Sequence, residues 1–402
     1  MRMLDSTEQA IVDAAKGAPM LAQVEQWAAV NSGSRNLQGL STMAGMLADA
    51  FSTLPGVLKL IRQPPIESVA PDGTLTGTEH GQHMLLSVRP EAPVQMLFTG
   101  HMDTVFGSDH PFQTSAWLEP GVLNGPGTAD MKGGIAVMLA ALRALEASPL
   151  APRFGYEVLI NSDEEVGSPS SAPLIAGAAR GKLAALTYEP ALPDGTLAGA
   201  RAGSGNFSII VRGRSAHAGR NPDEGRNALV AAADIALRLK RGGGAGLSVN
   251  PAKIDGGGPN NVVPDHAILR VNFRPLTPQD EDRARAMIDA VTAAVAAEHD
   301  VSIHVHGGFG RPPKPLDAVA EKLFGLVKQS GRDLGIEIGW KATGGVCDGN
   351  NIAACGVPVV DTMGVRGGAI HSADEFLITD SLPERAALSA LTIARIIERG
   401  VA

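Results

Sequence analysis

Four apolar runs in this chain each stop at or just before a residue able to ligate a metal ion, and that recurrence limits the fold more than any other feature. Val94-Gln95-Met96-Leu97-Phe98 leads into Gly100-His101-Met102-Asp103, and Tyr156-Glu157-Val158-Leu159-Ile160 leads into Asp163-Glu164-Glu165. Leu183-Ala184-Ala185-Leu186-Thr187 leads into Tyr188-Glu189-Pro190, and Val357-Pro358-Val359-Val360 leads to a Gly-rich loop bearing Ile370-His371-Ser372. Short apolar runs bounded by turn residues read as buried strands. Helical patterns lie between them, as a βαβ arrangement requires. In open α/β sheets, sites form outside the carboxyl ends of the strands. One such strand end means little; four together point to a metal centre on one sheet edge.

The spacing adds chemistry. His101 and Asp103 are i and i+2, so they share a strand face. The His can ligate while the Asp holds its other ring nitrogen. Asp130 sits in the turn Gly125-Pro126-Gly127-Thr128-Ala129-Asp130, before the apolar run Ile135 to Leu142. That run suits a buried helix and is too short to span a membrane. Taken alone, Asp130 reads equally as a helix N-cap. A phosphate loop is excluded, because the Gly-x-x-x-x-Gly-Lys-Ser/Thr pattern is absent. The adjacent acids Asp163, Glu164 and Glu165 repel one another unless solvent or a dication intervenes. One Glu can ligate while its neighbour accepts a proton. Two His with three or four carboxylates suit zinc, or a comparable borderline metal such as Co or Mn, better than Ca or Mg. Two zinc ions sharing a carboxylate account for the ligand count.

The chain has 402 residues, a prior for two domains. Its net charge of −8 argues against a nucleic acid partner. Cys347 and Cys355 form no Cys-x-x-Cys and suit a reducing compartment. The N-terminus lacks an apolar signal core, so the expected location is cytoplasmic, with no membrane partner. Beyond residue 200 the pattern changes. Strand, helix, strand, strand, helix, strand follow from Asn206 to His306, the β-α-β-β-α-β order of a ferredoxin-like module. Ala202 to Gly205 and Gly307 to Pro313 read as hinges. The expected fold is therefore α/β: a discontinuous catalytic domain, 1–202 and 312–402, with an inserted module at 203–311.

Within the insert, His217 lies in a polar turn and Asn261 in another, each unspecific by itself. Arg274 ends a strand and Arg311 lies in the second hinge; a guanidinium fork suits a substrate carboxylate. His304 and His306 alternate on one strand face, but no carboxylate cluster accompanies them.

These segments resemble, in order, the motifs of the co-catalytic di-zinc metallopeptidase family that includes glutamate carboxypeptidase, aminoacylase, acetylornithine deacetylase, succinyl-diaminopimelate desuccinylase and tripeptide aminopeptidase. They are Gly100 to Val105, Gly125 to Gly134, Asp163 to Ser168, Tyr188 to Pro190, Ser215 to Gly219, Asn260 to Pro264 and Ile370 to Glu375. The likeness is nearest to glutamate carboxypeptidase. It implies a di-zinc exopeptidase-like catalytic domain whose insert serves as lid and dimer interface. His101, Asp130 and Glu189 would hold one zinc, and Asp130, Glu165 and His371 the other. Glu164 would be the general base, and Asp103 would orient His101. His217 would reach the active site of a second subunit in a homodimer and donate to the oxyanion. Asn261 would join Arg274 at the substrate carboxylate. Glu, and not Asp, at position 189 favours carboxypeptidase or deacylase chemistry over the di- and tripeptidases. Cys347 stands where the family usually carries a hydroxyl residue, which leaves its role open. As a nucleophile it lacks an identifiable His partner and thiolate-stabilising site.

The expected activity is zinc-dependent hydrolysis of an amide beside a C-terminal, glutamate-like residue of an N-acyl amino acid or short peptide. The alternatives are an N-deacylase of the acetylornithine deacetylase or succinyl-diaminopimelate desuccinylase kind, and a metal-binding relative without turnover. The intact Glu164 argues against the last. A nucleotide-binding protein built on Gly125 to Gly134 lacks the phosphate-binding lysine pattern. Metal analysis with an amide-hydrolysis screen separates these classes.

Overall fold

The four apolar runs become neighbouring parallel strands in the computed structural model, which describes residues 3–401. Val94–His101 pairs in parallel with Phe154–Asn161 on one side and Ala184–Thr187 on the other. Val359–Val360 joins the far side of Ala184–Thr187, also in parallel. His83–Val88 and Val57–Ile61 extend the sheet antiparallel to six strands. The carboxyl ends of the four parallel strands therefore share one edge.

Burial explains the continuous apolar runs. Strand Val94–His101 is buried from Met96 onward, and Phe154–Asn161 is buried except at Glu157. A strand buried on both faces needs cover on both. One face receives helix Gly133–Glu146, buried except at Arg143 and Glu146. Helices Ser6–Lys16, Met20–Ala28 and Ser381–Arg399 pack around it. The other face is covered by helices Ala172–Ala179 and Asp348–Ala354, whose Ile175 and Ile352 meet Leu97, Leu159 and Val359. Phe98, Phe154 and Tyr156 form an aromatic cluster, with Phe154 and Tyr156 stacked at 4.7 Å. Truncating a fully buried Phe of this kind costs about 3–5 kcal/mol.

Strands Leu247–Gly256, His266–Pro275, Ser204–Arg212 and Ser302–Arg311 form a second, antiparallel sheet in that spatial order. Helices Ala228–Gly242 and Pro278–His299 pack with it around a separate core that includes Ile209, Ile235, Phe273 and Ile288. Chain order and pairing are those of a ferredoxin-like module. Both expected linkers are corrected: Ser204 and Gly205 belong to strand Ser204–Arg212, and Gly307 to Arg311 is strand and not linker. Gly307 and Gly308 continue the ladder opposite Phe207 and Asn206, and Phe309 packs on Phe207 at 5.3 Å. Gly307 has a φ of +106°, so glycine is needed there for conformation and does not mark a hinge. The hairpin Ile66–Val69/Leu75–Thr78 also reaches this sheet. Arg270 donates to the Val69 carbonyl at 2.9 Å, and Val69 is buried with Ile210 and Ile268. Among the described residues, no helix is long and apolar enough to cross a membrane.

Candidate active site and metal centre

At the shared strand edge, Asp130 stands between two histidines. His101 Nε2 lies 3.0 Å from Asp130 Oδ1 and 3.7 Å from Glu189 Oε2. His371 Nε2 lies 3.3 Å from Asp130 Oδ2 and 3.2 Å from Glu165 Oε2. Ligands 2.0–2.2 Å from a tetrahedral zinc stand roughly 3.3–3.6 Å apart, and the four separations, 3.0 to 3.7 Å, bracket that range within about 0.3 Å. His101, Asp130 and Glu165 offer ligand atoms within 4.8 Å of one another, as do His101, Glu164 and Glu189. Glu189 Oε1 is buried without a hydrogen-bond partner. An orphaned carboxylate oxygen beside a His suits a bound cation, because a buried anion left unpaired is costly. The donor set therefore fits a pair of divalent ions.

Each side chain has a local reason for its place. His101 closes its strand, and its Nδ1 lies 3.0 Å from the Asp103 backbone carbonyl but 3.5 Å from the Asp103 carboxylate. The carbonyl thus makes the closer contact to His101. The carboxylate of Asp103 instead accepts from Ser34 Oγ at 2.7 Å and from the backbone N–H groups of Glu164 and Glu165 at 3.2 Å each. It anchors the turn bearing both glutamates. Asp130 does not cap its helix, which starts at Gly133 without a side-chain cap. The Asp130–Met131 peptide is cis. Gly134 is required: a Cβ there would meet the Tyr188 carbonyl oxygen at 2.0 Å, so helix and strand end could not approach. The closing carboxylate of the fourth strand, Asp361, is buried and paired with Arg201 Nε at 2.7 Å and Lys314 Nζ at 2.8 Å. It is therefore unavailable, and the candidate ligand is His371, ten residues on. His371 has a φ of +63°, a strained value for a non-glycine residue, such as collects at functional sites.

The electrostatics show an excess of acid. Burial raises Glu165 to about 7, with the Asp130 charge adding to it. Burial also raises Glu189, and it raises Glu164 well above the carboxylate range against the pull of Arg311. Bonds to Asp130 and Glu165 lift His371 to about 10. Burial opposes charge on His101, but its bonds to Asp103, Asp130 and Glu189 prevail and raise it. Two dications would invert this logic and keep every carboxylate ionised.

Two cavities open on the cluster. One, of about 270 Å³, is lined by Glu189 and His371 and by Leu192, Leu197, Val346 and Lys341. The other, of about 570 Å³, is lined by Glu164, Glu165, Arg274, Arg311 and His371. Arg274 thus lines the space beside the candidate ligands Glu165 and His371. Arg311 is buried, and its guanidinium is committed to Glu164 Oε1 at 2.7 Å, to Asp348 and to Ser168 Oγ at 3.0 Å. It offers the cavity a held Glu164 in place of a free fork. His217 and Asn261 line neither cavity in their own chain. They lie side by side instead. His217 pairs with Val262 across a short ladder, and Ala218 N–H donates to the Asn261 carbonyl at 2.9 Å. The N–H groups of Gly219 and Arg220 donate to His217 Nδ1, which leaves its exposed Nε2 as the protonated donor.

Sequence reasoning gave no role to Glu375, Asp348 or Arg201. Glu375 lies in a quoted motif, yet its partners are backbone N–H groups that no pattern reveals. Asp348 and Arg201 act through ion pairs with residues distant in the chain.

A family model described as peptidase family M20/M25/M40 matches residues 97–395, a span that contains all five candidate ligands. Carboxypeptidase G2 of Pseudomonas sp. (strain RS-16) is 29% identical over 323 residues, covering 78% of this chain and 76% of that protein. Succinyl-diaminopimelate desuccinylase of Maricaulis maris (strain MCS10) is 30% identical over 370 residues, covering 81% of this chain and 91% of that protein. In fold, the chain is similar to a solved tripeptidase from Staphylococcus aureus, with a TM-score of 0.70 at 24% identity over 98% of this chain and 99% of that one. With the family match running through the sheet, the inserted segment and the His371 loop alike, the chain belongs to peptidase family M20/M25/M40 and is a hydrolase.

Proposed function

We propose that this hydrolase is a two-metal exopeptidase that cleaves the amide beside a C-terminal, glutamate-like residue of an N-acyl amino acid or short peptide. The carrying observation is Asp130, with one oxygen toward His101 and the other toward His371. His101, Asp130 and Glu189 would hold one ion, and Asp130, Glu165 and His371 the other. Zinc suits these ligands, with Co or Mn as substitutes. Two such ions, when bound, supply the Lewis acidity that polarises an amide carbonyl and makes water a competent nucleophile near neutral pH.

The chain's own residues do the rest. Glu164 takes the proton of the attacking water and passes it to the amine as the C–N bond breaks. Arg311 keeps that carboxylate aimed. Arg274 binds the terminal carboxylate of the substrate in the larger cavity. His217 of the partner subunit donates its Nε2–H to the oxyanion, and Asn261 of the partner subunit joins Arg274. Residues 203–311 would then form the lid and homodimer interface, and 1–202 with 312–402 the catalytic domain. That neither His217 nor Asn261 lines either cavity in its own chain supports this division.

Deacylation of an N-acyl amino acid with an anionic acyl group is the second reading. Its support is Lys341 in the smaller, otherwise largely apolar cavity, together with the extent of the likeness to the desuccinylase. A panel of N-acyl glutamates, dipeptides and N-succinyl amino acids, given to zinc-loaded protein, tests both. Glu164→Gln should keep its metal and lose roughly 10²–10⁴-fold in turnover. Absence of amide hydrolysis across the panel by fully loaded protein would refute the assignment.

A further inference from the structure

We infer that Glu375 is a positioning residue for the shared ligand, tying the loop of His371 to the turn of Asp130. The inference rests on the reading of those two residues as ligands. Glu375 is 1% exposed and follows His371 by four residues. Its Oε1 accepts from the backbone N–H groups of Ala129 and Asp130 at 3.0 Å each, and its Oε2 from that of Gly127 at 3.2 Å. Its own carbonyl accepts from Asn124 Nδ2 at 2.7 Å and Gly125 N at 3.3 Å. One residue thus fastens both ends of the turn.

The physical argument concerns direction. The Asp130 side chain has no capping bond; its carboxylate oxygens face the two histidines. The aim of its carboxylate therefore depends on the backbone frame from which Cβ projects. Fixing the N–H groups of Ala129 and Asp130 fixes that frame. From the other side, Lys132 Nζ donates to the carbonyls of Val30 and Pro126 at 3.2 and 3.3 Å and pins the same turn. Glu375 does not point into the ligand cluster. Convergent N–H groups make an anion cradle, and here a carboxylate from the protein occupies it.

The test is zinc affinity by chelator competition on full-length protein, with Glu375→Ala, Glu375→Gln and Asp130→Ala compared to wild type. Wild type should bind two zinc ions. Loss of a supporting partner typically weakens a metal site ~10–100-fold, and Glu375→Ala should fall in that range. Glu375→Gln keeps an acceptor for Ala129 and Asp130 and loses only the Gly127 bond, so it should retain more affinity than Glu375→Ala. The visible d–d spectrum of the cobalt-loaded Ala variant should also change, which a remote fold defect would not cause. Wild-type affinity in Glu375→Ala overturns the proposal. Equal losses in the Ala and Gln variants overturn it too, since charge alone would then explain them. If Glu375→Ala does not fold, Glu375→Gln decides: a several-fold loss supports the role, and no loss overturns it. Unchanged binding in Asp130→Ala would instead overturn the ligand assignment, a separate failure.

Discussion

Replacing Arg311 with Leu should separate two roles for a buried guanidinium. In the folded chain Arg311 is 2% exposed. It pairs with Asp348 and donates to Asn351 Oδ1 at 2.7 Å, Glu164 Oε1 at 2.7 Å and Ser168 Oγ at 3.0 Å. Leu removes all of these. Asp348 keeps its bonds from Ser168 and Asn161 but becomes a buried anion without a cation. Breaking such a pair costs about 3–5 kcal/mol. Glu164 faces the cavity and can take water, so its share is smaller. The loss corresponds to a fall in Tm of roughly 4–8 °C for a domain of this size. Adding Asp348→Asn removes the stranded charge and should restore much of the stability. It should not restore activity, because Glu164 still lacks its anchor. A base displaced by about 1 Å costs roughly 10²-fold, and the cost should appear in kcat. Thermal melts and steady-state kinetics on metal-loaded variants measure both. A raised KM with unchanged kcat would mean that Arg311 binds substrate instead. Stability within about 1 kcal/mol of wild type would refute the magnitude.

Two further predictions follow. His217→Ala and Glu164→Ala subunits, each inactive alone, should recover part of the activity when co-refolded, because one site of the heterodimer then holds both wild-type residues; verified heterodimers without activity would show that His217 does not act across subunits. His83 is held neutral by burial, its pKa below the usual 6.5, with Nε2 at 3.0 Å from Ser170 Oγ. The unfolded chain therefore binds more protons below about pH 6.5, so stability should fall as pH drops through that range. His83→Gln should shrink the difference between urea midpoints at pH 7.5 and 5.5, and an unchanged difference would remove His83 as a cause.

The centre was legible because its chemistry coincides with strand ends. His101, Glu165 and Glu189 each follow a buried apolar run, and parallel pairing brings those ends together. Asp130 was legible as a metal candidate but equally as a cap; only the fold, which starts the helix at Gly133, separates the two. What stayed hidden depends on partners that sequence does not display. The Asp103 carboxylate serves backbone N–H groups 61 and 62 residues away. Arg311 reads as a hinge residue until Glu164 and Asp348 close around it. Gly307 to Gly310 reads as linker by composition, yet ladder hydrogen bonds to the strand Ser204–Arg212 make it sheet.

Anomalous scattering from crystals of zinc-loaded protein, with elemental analysis of the same sample, locates and counts the metal ions. Two zinc ions should appear about 3.5–4 Å apart with Asp130 between them, one also bound by His101 and Glu189 and the other by Glu165 and His371. Zinc bound elsewhere while this cluster stays empty, or a single ion that Asp130 does not touch, would contradict the two-metal assignment.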